Sequence, residues 1–405
     1  MSSEVRPLTW GGRCTDFEIW ETKMNRETEL ALIDELLALK ASKTGYLVEA
    51  VTRNPVDHYS SKDRFQSEQT NILRAVPTVA AHASELEGAG AFLRREVGGL
   101  PVLLTRDQSG RVNAFLNVCR HRGTRLVDEA SGCKNRFSCP YHAWTYSNTG
   151  ELIAAPHFDQ GFPDEQKSEL GLKRLDCQER FGFIWVMPKA DSTLDLDTFL
   201  EGMAGDFEAL EIDEMAIAVE HTETRRANWK ILVEGGIESY HFRVAHRTTI
   251  GPYFEDNLSS YRSFGPHLRS ILPRTSLAKL TDETRGTWRL RDHSYILYTL
   301  FPTCQLLVQK DHIVWITQEP LGPGETSLRL VTLVPKSTVG SQAHWKQNHS
   351  ITSKTLDEDF DIAESIQKNL SSGANSDMIF GRFEGALDQF NRGVAEYLNV
   401  SGETK

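Results

Sequence analysis

The sequence lacks any long hydrophobic run, which argues against a membrane protein. No window of the 405 residues approaches eighteen consecutive apolar residues, so no transmembrane helix is expected. The first residues, MSSEVRPLTWGGRCTDF, also lack the apolar centre of a secretory signal. An excess of basic charge is absent as well, and the net charge of −11 gives no electrostatic footprint for nucleic acid. A cytoplasmic protein with no membrane or nucleic-acid partner is predicted.

Cysteine is equally sparse, with six residues in the chain: Cys14, Cys119, Cys133, Cys139, Cys177 and Cys304. This count is far below that of a disulfide scaffold, which also favours a reducing compartment. A chain of this length is long enough for two ordinary domains, and its 39% of hydrophobic residues indicate a globular protein.

The periodicity of apolar residues changes along the chain. Residues 16–42 have helical spacing, whereas the polar stretch 52–70 suggests an extended or looped connection. Short β-like runs separated by turn residues follow from 72 to 187 and predict a small β domain. Beyond it, strand-like runs at 216–226 and 287–335 lie between helical segments near 196–214 and 341–398. This order predicts an α+β arrangement, an antiparallel sheet covered by helices.

The first candidate metal site combines two short Cys/His pairs. Cys119 and His121 lie in CRHRG, and Cys139 and His142 lie in CPYHAW, with seventeen residues between His121 and Cys139. Two thiolates and two imidazoles can hold one tetrahedral zinc, or a [2Fe-2S] cluster in which two histidines replace two cysteines on one iron. The Cys-x-His opening is tighter than a zinc-finger pair, and two mixed pairs let each loop serve both irons. The cluster is therefore preferred to zinc and to a chance arrangement.

The second candidate site is the spacing Glu-x-x-His-x-x-x-x-His formed by Glu238, His241 and His246. Glu238 and His241 are three residues apart and would share a helical face. The two histidines are five apart, about 140° around an ideal helix, so a helix must end or bulge between them for both to reach one metal. This spacing differs from that of HExxH zinc proteases.

A third ligand is expected from the acidic run LDEDFDIAESIQ at 356–367. Asp359 stands out there, because in a helix its neighbours three residues before it and three, four and seven residues after it would all be apolar. A carboxylate on such a face is costly unless it is paired or bound to a metal. Asp357 and Glu358 instead suit a solvated helix start. The neighbours in question are Leu356, Ile362, Ala363 and Ile366.

With the Asn-Trp-Lys run at 228–230, these motifs resemble those of the Rieske-type non-haem iron ring-hydroxylating oxygenases, in their alpha (terminal oxygenase) subunit. The resemblance extends over most of the chain. It implies that Cys119 and Cys139 ligate one iron of a [2Fe-2S] cluster, and that His121 and His142 ligate the other. Cys133, inside the intervening loop, is not at a ligand position.

The same resemblance implies that His241, His246 and Asp359 hold a mononuclear Fe(II) as a facial triad. Glu238 is then the acid that links this iron to the cluster of a neighbouring subunit, through hydrogen bonds to His241 and to His142 across the interface. In this scheme an electron passes from the cluster to the mononuclear iron by way of these three side chains.

The implied protein is a homotrimeric terminal oxygenase with three segments: residues 1–71, an N-terminal segment packed on the catalytic domain; 72–187, the Rieske domain; and 188–405, a helix-grip-like catalytic domain. It would use O2 and electrons from a separate NAD(P)H-dependent reductase or ferredoxin. The implied reaction is hydroxylation or oxidative demethylation of a small aromatic acid or a quaternary or tertiary amine. The alternatives are a Rieske electron carrier without oxygenase activity and a zinc hydrolase with Glu238 as base.

Two features depart from the family pattern. Many aromatic dioxygenases have Asp at the position of Glu238, whereas Glu is common in branches that act as monooxygenases. The Asn that often follows the acid matching Glu234 is replaced by Gly235 and Gly236, which loosens the helix.

Candidate substrate contacts are aromatic residues for a ring or an ammonium group, and arginines for a carboxylate. The aromatic candidates are Tyr240, Phe242, Tyr253, Phe254, Tyr295 and Tyr298; the arginines are Arg243, Arg247 and Arg262.

Overall fold

The computed structural model describes residues 24–400. Helix α1 (Arg26–Ala41) begins after Asn25, whose side chain accepts hydrogen bonds from the backbone of Glu27 and Thr28. Ile33 and Leu36 on its inner face are fully buried. The predicted N-terminal helix is thus present from Arg26, and residues 16–23 of that prediction lie outside the described residues.

The extended connection predicted at 52–70 is wrong, because most of this segment is helical. It is buried against the rest of the chain through Tyr59 and Glu68, both 0% exposed, and its polar composition hid this packing. Its elements are β1 (Thr52–Pro55), α2 (Asp57–Ser60) and α3 (Lys62–Glu68), followed by a π-helical turn at Gln69–Leu73.

Eleven short strands and one short α-helix follow between residues 78 and 186, together with 3₁₀ turns at Ala83–Leu86 and Lys167–Glu169. They are β2 (Thr78–His82), β3 (Ala91–Val97), β4 (Leu100–Arg106), β5 (Val112–Leu116), β6 (Ser131–Cys133), β7 (Arg136–Ser138), β8 (Thr145–Ser147), β9 (Leu152–Ala154), α4 (Phe158–Gly161), β10 (Arg174–Leu175), β11 (Cys177–Arg180) and β12 (Phe183–Val186). They form three antiparallel sheets with the orders β10-β5-β4-β3-β6, β11-β12-β2 and β7-β8-β9. Two loops project from these sheets, one after β5 and one between β7 and β8.

The remainder of the chain is built on one seven-stranded antiparallel sheet, ordered β13-β19-β18-β17-β16-β15-β14. Its strands are β13 (Met215–Arg225), β14 (Ser260–Phe264), β15 (His267–Pro273), β16 (Ser294–Leu300), β17 (Cys304–Val308), β18 (Ile313–Gly322) and β19 (Glu325–Pro335). The other elements are α5 (Leu196–Phe199), α6 (Ala204–Leu210), α7 (Trp229–Ile237), α8 (Phe242–Ala245), α9 (Leu290–His293), α10 (Gln342–Asn369), β20 (Asp377–Phe380) and α11 (Gly385–Val400). The predicted α+β architecture is confirmed.

The two faces of this sheet differ because strand side chains alternate. Ile296, Tyr298 and Leu300 of β16 belong to a large apolar core that also takes residues from α1 and α6. Tyr295 and Leu297 point to the opposite face, which α7 and α10 cover. Tyr298 is therefore a core residue, and its predicted place at the substrate pocket is wrong. Within residues 24–400 no helix is both long and apolar enough to cross a membrane.

A fully buried ion pair fixes α7 on the N-terminal segment. Asn228 caps α7 by accepting a hydrogen bond from the backbone N–H of Lys230 at 2.9 Å. The Lys230 Nζ donates to both carboxylate oxygens of Glu68 at 2.7 Å, and the indole N–H of Trp229 donates to the same carboxylate at 3.0 Å. Burial lowers the pKa of Lys230, while the Glu68 charge opposes this change. The Asn-Trp-Lys run therefore sets where α7 begins and how it is held.

Glu68→Gln is expected to lower the free energy of unfolding by about 3–5 kcal/mol, because it leaves a buried ammonium without its counter-charge. Urea denaturation of the full chain measures this. Glu129→Gln is the matched control: Glu129 pairs with Lys134, and both side chains are about half exposed, so the loss of stability should be several-fold smaller than in Glu68→Gln. Equal losses in the two variants would contradict the anchoring role of Glu68.

Candidate metal centres

The two projecting loops bring Cys119, His121, Cys139 and His142 together. The Nδ1 atoms of the two imidazoles lie 3.1 Å apart. Both cysteines are buried, whereas both histidines are only partly buried. Burial raises the pKa of the Cys119 thiol, and the neighbouring Cys139 thiol raises it further. The thiols thus lie inside and the imidazoles lie near the surface.

Aromatic side chains hold the outer part of this site. The His121 ring stacks on Trp144 with centroids 4.9 Å apart, and the exposed ring of Tyr141 covers His142 at 3.7 Å. The Tyr146 hydroxyl lies 3.4 Å from the Cys119 sulfur. Cys133 is exposed on β6, outside the four-residue site.

The spacing of these side chains fits a two-iron cluster better than one zinc ion. Four ligands of a tetrahedral ion all lie within about 4 Å of one another. Among the described residues, no three of the four loop residues have ligand atoms that all lie within 4.8 Å of one another. Such a group is formed instead by His241, His246 and Asp359, at the second site. An imidazole pair and a thiol pair that lie apart suit two irons, one for each pair.

The second site depends on where α7 stops. The helix ends at Ile237, and Glu238 is extended (φ −112°, ψ 163°). One helical turn, α8, then separates His241 at its N-cap from His246 at its C-cap. The helix break required for both imidazoles to face one point is therefore present. Glu238 and His241 do not share a helical face, because a turn rather than a helix joins them.

Asp359 reaches this point from the middle of α10. Its Oδ1 lies 3.0 Å from His246 Nε2 and 3.4 Å from His241 Nε2, and the two Nε2 atoms lie 3.2 Å apart. Burial raises the pKa of Asp359, but hydrogen bonds from both imidazoles outweigh it and bring the pKa below its ordinary value. Burial lowers the pKa of His241, yet its contacts with Asp359 and Glu238 raise it to about 10. Two imidazoles and one carboxylate thus converge on one point, which is the ligand set of a facial triad.

The apolar face predicted around Asp359 is only partly present. Leu356 and Ala363 pack in a core cluster, but Ile362 and Ile366 are 45% and 38% exposed. The face toward the pocket is completed by Phe360, one residue along the helix.

Each imidazole of the triad has a second carboxylate on its outer nitrogen. Glu238 accepts from Nδ1 of His241 and from the backbone N–H of Tyr240. Glu358 accepts from Nδ1 of His246 at 2.7 Å and from the Thr249 hydroxyl at 2.6 Å. Such contacts fix the tautomer of a metal-binding histidine and aim its free nitrogen.

Glu358 was missed by the sequence reasoning. It was assigned to a solvated helix start, but α10 begins at Gln342, so Glu358 lies well inside the helix. The signal was available, since a second histidine in a metal site calls for a second carboxylate as its support.

The triad borders a pocket between the sheet and helices α7 and α10, with about 850 Å³ of empty space including its open mouth. Most lining side chains are apolar. No lysine or arginine is among the described residues that line it. Three glutamines lie on the sheet side: Gln305, Gln309 and Gln318.

Of the aromatic substrate contacts predicted, Phe242 and Tyr295 line this pocket and Phe254 packs behind them. Tyr240 is 54% exposed and points elsewhere, against Phe383. The predicted arginines are not pocket residues: Arg243 and Arg247 border a separate shallow cleft, and Arg262 lies on the edge strand β14.

Gly235 and Gly236 have opposite surroundings. A methyl group on Gly236 would lie 2.9 Å from Nε2 and 3.4 Å from Oε1 of Gln305, whereas one on Gly235 would meet nothing within 4 Å. Both glycines line the pocket. The pair thus widens the pocket beneath α7 and makes room for a glutamine on the facing strand.

Two family models match the chain. The Rieske [2Fe-2S] domain matches residues 76–175, and the catalytic domain of the ring hydroxylating alpha subunit matches residues 206–400. Together they cover nearly three quarters of the sequence, and each includes one of the two candidate metal sites.

Curated relatives and solved structures agree with these matches. The oxygenase subunit of glycine betaine monooxygenase from Pseudomonas aeruginosa is 27% identical over 359 residues, which are 79% of this chain and 82% of the relative. The oxygenase subunit of carnitine monooxygenase from Escherichia coli is 33% identical over 208 residues, 50% of this chain and 53% of the relative. A solved quaternary ammonium Rieske monooxygenase aligns with a TM-score of 0.72 at 22% identity, covering 86% of this chain and 96% of that one. For naphthalene 1,2-dioxygenase from Rhodococcus sp. the TM-score is 0.70 at 18% identity, and the alignment covers 91% of this chain and 98% of that one.

Fold and sites define a non-haem iron oxygenase with its own electron-accepting cluster domain. The chain belongs to the family of Rieske-type ring-hydroxylating oxygenases, as the alpha, or terminal oxygenase, subunit. It is a mono- or dioxygenase whose cofactors are a [2Fe-2S] cluster and a mononuclear iron. The alternatives of a zinc hydrolase and of an electron carrier without oxygenase activity are thereby excluded.

Asp359→Ala is expected to lose the mononuclear iron while the cluster spectrum stays intact, because the triad loses its single carboxylate. Iron analysis with EPR of the reduced protein measures both. Asp361→Ala is the control on the same helix, since Asp361 is 75% exposed and pairs with Arg225. Full iron content in Asp359→Ala would overturn the ligand assignment.

Proposed function

We propose that this chain uses O2, and electrons from an NAD(P)H-dependent reductase or a ferredoxin, to hydroxylate or oxidatively demethylate a small organic molecule. The observation on which this rests is the convergence of His241, His246 and Asp359 at the wall of an apolar pocket. Bound there, Fe(II) would supply oxygen activation, with coordination positions left open beside the triad. Cys119, His121, Cys139 and His142 are the proposed cluster ligands. The boundaries 1–71, 72–187 and 188–405 remain our prediction for the domains.

The protein's own residues prepare this site before any substrate enters. Glu238 and Glu358 hold Nδ1 of the two histidines and thereby turn both Nε2 atoms toward Asp359. The apolar wall keeps water from the reacting carbon. For monooxygenation the balance is one C–H bond, O2, two electrons and two protons, giving one hydroxyl group and one water. A hydroxylated N-methyl group then leaves as formaldehyde.

The charge of the pocket supports an apolar or cationic reacting group. His246 and Asp359 belong to the triad, and none of the other described lining residues is a lysine or an arginine that could pair with a carboxylate. Phe242, Tyr295 and Phe360 offer aromatic surface to a ring or to an alkylated ammonium group. Relatives that act on glycine betaine and carnitine make a quaternary or tertiary amine a fitting substrate class. Both of those compounds also carry a carboxylate, and for that group this pocket offers no lysine or arginine among its described lining residues. An aromatic acid fits this pocket less well.

We further propose a homotrimer in which each mononuclear site receives electrons from a neighbouring chain's cluster. A solved quaternary ammonium Rieske monooxygenase is described as using inter-subunit electron transfer. In this chain both sites are flanked by exposed apolar side chains: Tyr141 is 56% exposed beside His142, and Tyr240 and Val244 are 54% and 73% exposed beside His241. A head-to-tail ring of three would bury these two unlike patches against each other.

The substrate class is tested with two probes that share a benzene ring and carry opposite charges. Dithionite-reduced protein is exposed to ¹⁸O2 with either N,N-dimethylbenzylamine or benzoate, and products are quantified by mass spectrometry. Formaldehyde from the amine is expected. Benzoate should react at least roughly tenfold more slowly, because a buried carboxylate would lack a cationic partner. Faster conversion of benzoate would contradict the proposed class, and no product from any organic substrate would contradict the function.

Glu238→Gln is expected to keep both metals but to slow product formation, because the neutral amide still reaches His241 yet no longer supplies the carboxylate between the two sites. Metal content, EPR and product per reduced chain measure this. Glu384→Gln, a nearby carboxylate that accepts from the backbone of Gly381, is the control. Unchanged turnover in Glu238→Gln would remove Glu238 from the electron path.

A further inference from the structure

The side-chain carbonyl oxygen of one buried glutamine in the pocket has no hydrogen-bond partner among the described residues. Gln318 is 3% exposed, and no described residue forms a hydrogen bond with its side-chain Oε1. A buried carbonyl of this kind that forms no hydrogen bond is destabilising. The cost is removed when a molecule bound in the pocket forms the missing hydrogen bond.

The strand register places this amide on the pocket side of the sheet. Val314 and Ile316, four and two residues earlier on β18, pack against α7 and α10, so Gln318 shares their face. Gln318 pairs with Leu328 of β19, which belongs to the same cluster. Gln318 is also a lining residue of the pocket that contains Asp359.

A second glutamine lies beside it. Gln305 of β17 pairs with Ile316, which makes it the diagonal neighbour of Gln318, about 7–8 Å away between backbones. Its Nε2 donates to the Val233 carbonyl of α7 at 3.1 Å, and Gly236 leaves the space that this position needs. Gln305 is thus fixed by the protein, whereas Gln318 is not.

The surrounding charge limits what Gln318 can take. A carboxylate at this end would find no lysine or arginine among the described lining residues and would share the pocket with Asp359. A carboxamide both donates and accepts, so it suits a hydroxyl, an N–H or an amide. A site built for such a group rejects an analogue that lacks it.

We propose that Gln318, with Gln305 beside it, is the specificity-determining end of the pocket and binds a neutral hydrogen-bonding group of the substrate. This deepens the proposed function and rests on it for one point, that the substrate occupies this pocket.

Binding of two isosteric probes to the full-length protein as isolated tests this. Indole carries an N–H donor and benzothiophene does not, and their dissociation constants are measured by calorimetry. Gln318→Met, of similar length, is expected to reduce the affinity ratio of indole to benzothiophene roughly five- to tenfold, the value of one hydrogen bond between neutral groups. Because the ratio in each variant is compared with the ratio in the wild type, the difference in hydrophobicity between the two probes cancels.

Two further variants make the test independent of folding. Gln309→Met is the same substitution at another lining residue of this pocket, four positions beyond Gln305, and should leave the ratio unchanged within about twofold. Gly236→Ala should lower the ratio in the same direction as Gln318→Met, because its methyl group displaces Gln305. The melting temperature of ligand-free Gln318→Met should not fall, since an unsatisfied amide is replaced by an apolar side chain.

The proposal is overturned if the ratio is unchanged in Gln318→Met, if Gln309→Met changes it instead, or if neither probe binds the wild type at millimolar concentration. These readouts need no turnover and no electron donor. An inactive protein with the expected ratios would therefore contradict the proposed function alone.

Discussion

A carboxylate in the middle of helix α10, with only 16% of its side chain exposed, faces the imidazoles of His241 and His246. Asp359 can remain charged there because both rings stabilise it against the cost of burial. The contact joins α10 to the short turn α8 and closes the substrate pocket on one side. The helix break after Ile237 lets both imidazoles reach Asp359. The second carboxylates orient the two imidazoles, and the apolar wall of the pocket lies beside them.

The position of the place where these three side chains meet depends on helix α7, because Glu238 directly follows that helix. The pair of Lys230 with Glu68 anchors the beginning of the helix. Further along it, Glu234 accepts hydrogen bonds from Tyr59 and Asn391, both at 2.7 Å. Burial raises the pKa of Glu234 to about 7, so a large share of it is neutral at physiological pH. The N-terminal segment thus helps to hold the helix that leads into the candidate mononuclear metal site.

The sequence was most informative where spacing alone determines chemistry. The two Cys/His pairs and the five-residue histidine spacing each demand a specific local geometry, and the structure has loops and a helix break at those positions. Glu358 was missed because its role depends on where α10 begins, which acid-rich composition does not reveal. Gln318 was beyond reach for a related reason: alternation tells which strand residues share a face, but not which face is left open. The helices at 57–68 escaped notice since their burial comes from distant partners such as Lys230.

The central claim, that one chain holds a Rieske cluster and a separate mononuclear iron, is tested most directly by iron and acid-labile sulfide analysis of anaerobically purified protein, with EPR after dithionite reduction. Two irons in the cluster and one at the triad predict about three irons and two sulfides per chain, with a Rieske signal of low average g. Zinc in place of iron, or only two irons after reconstitution, would contradict it.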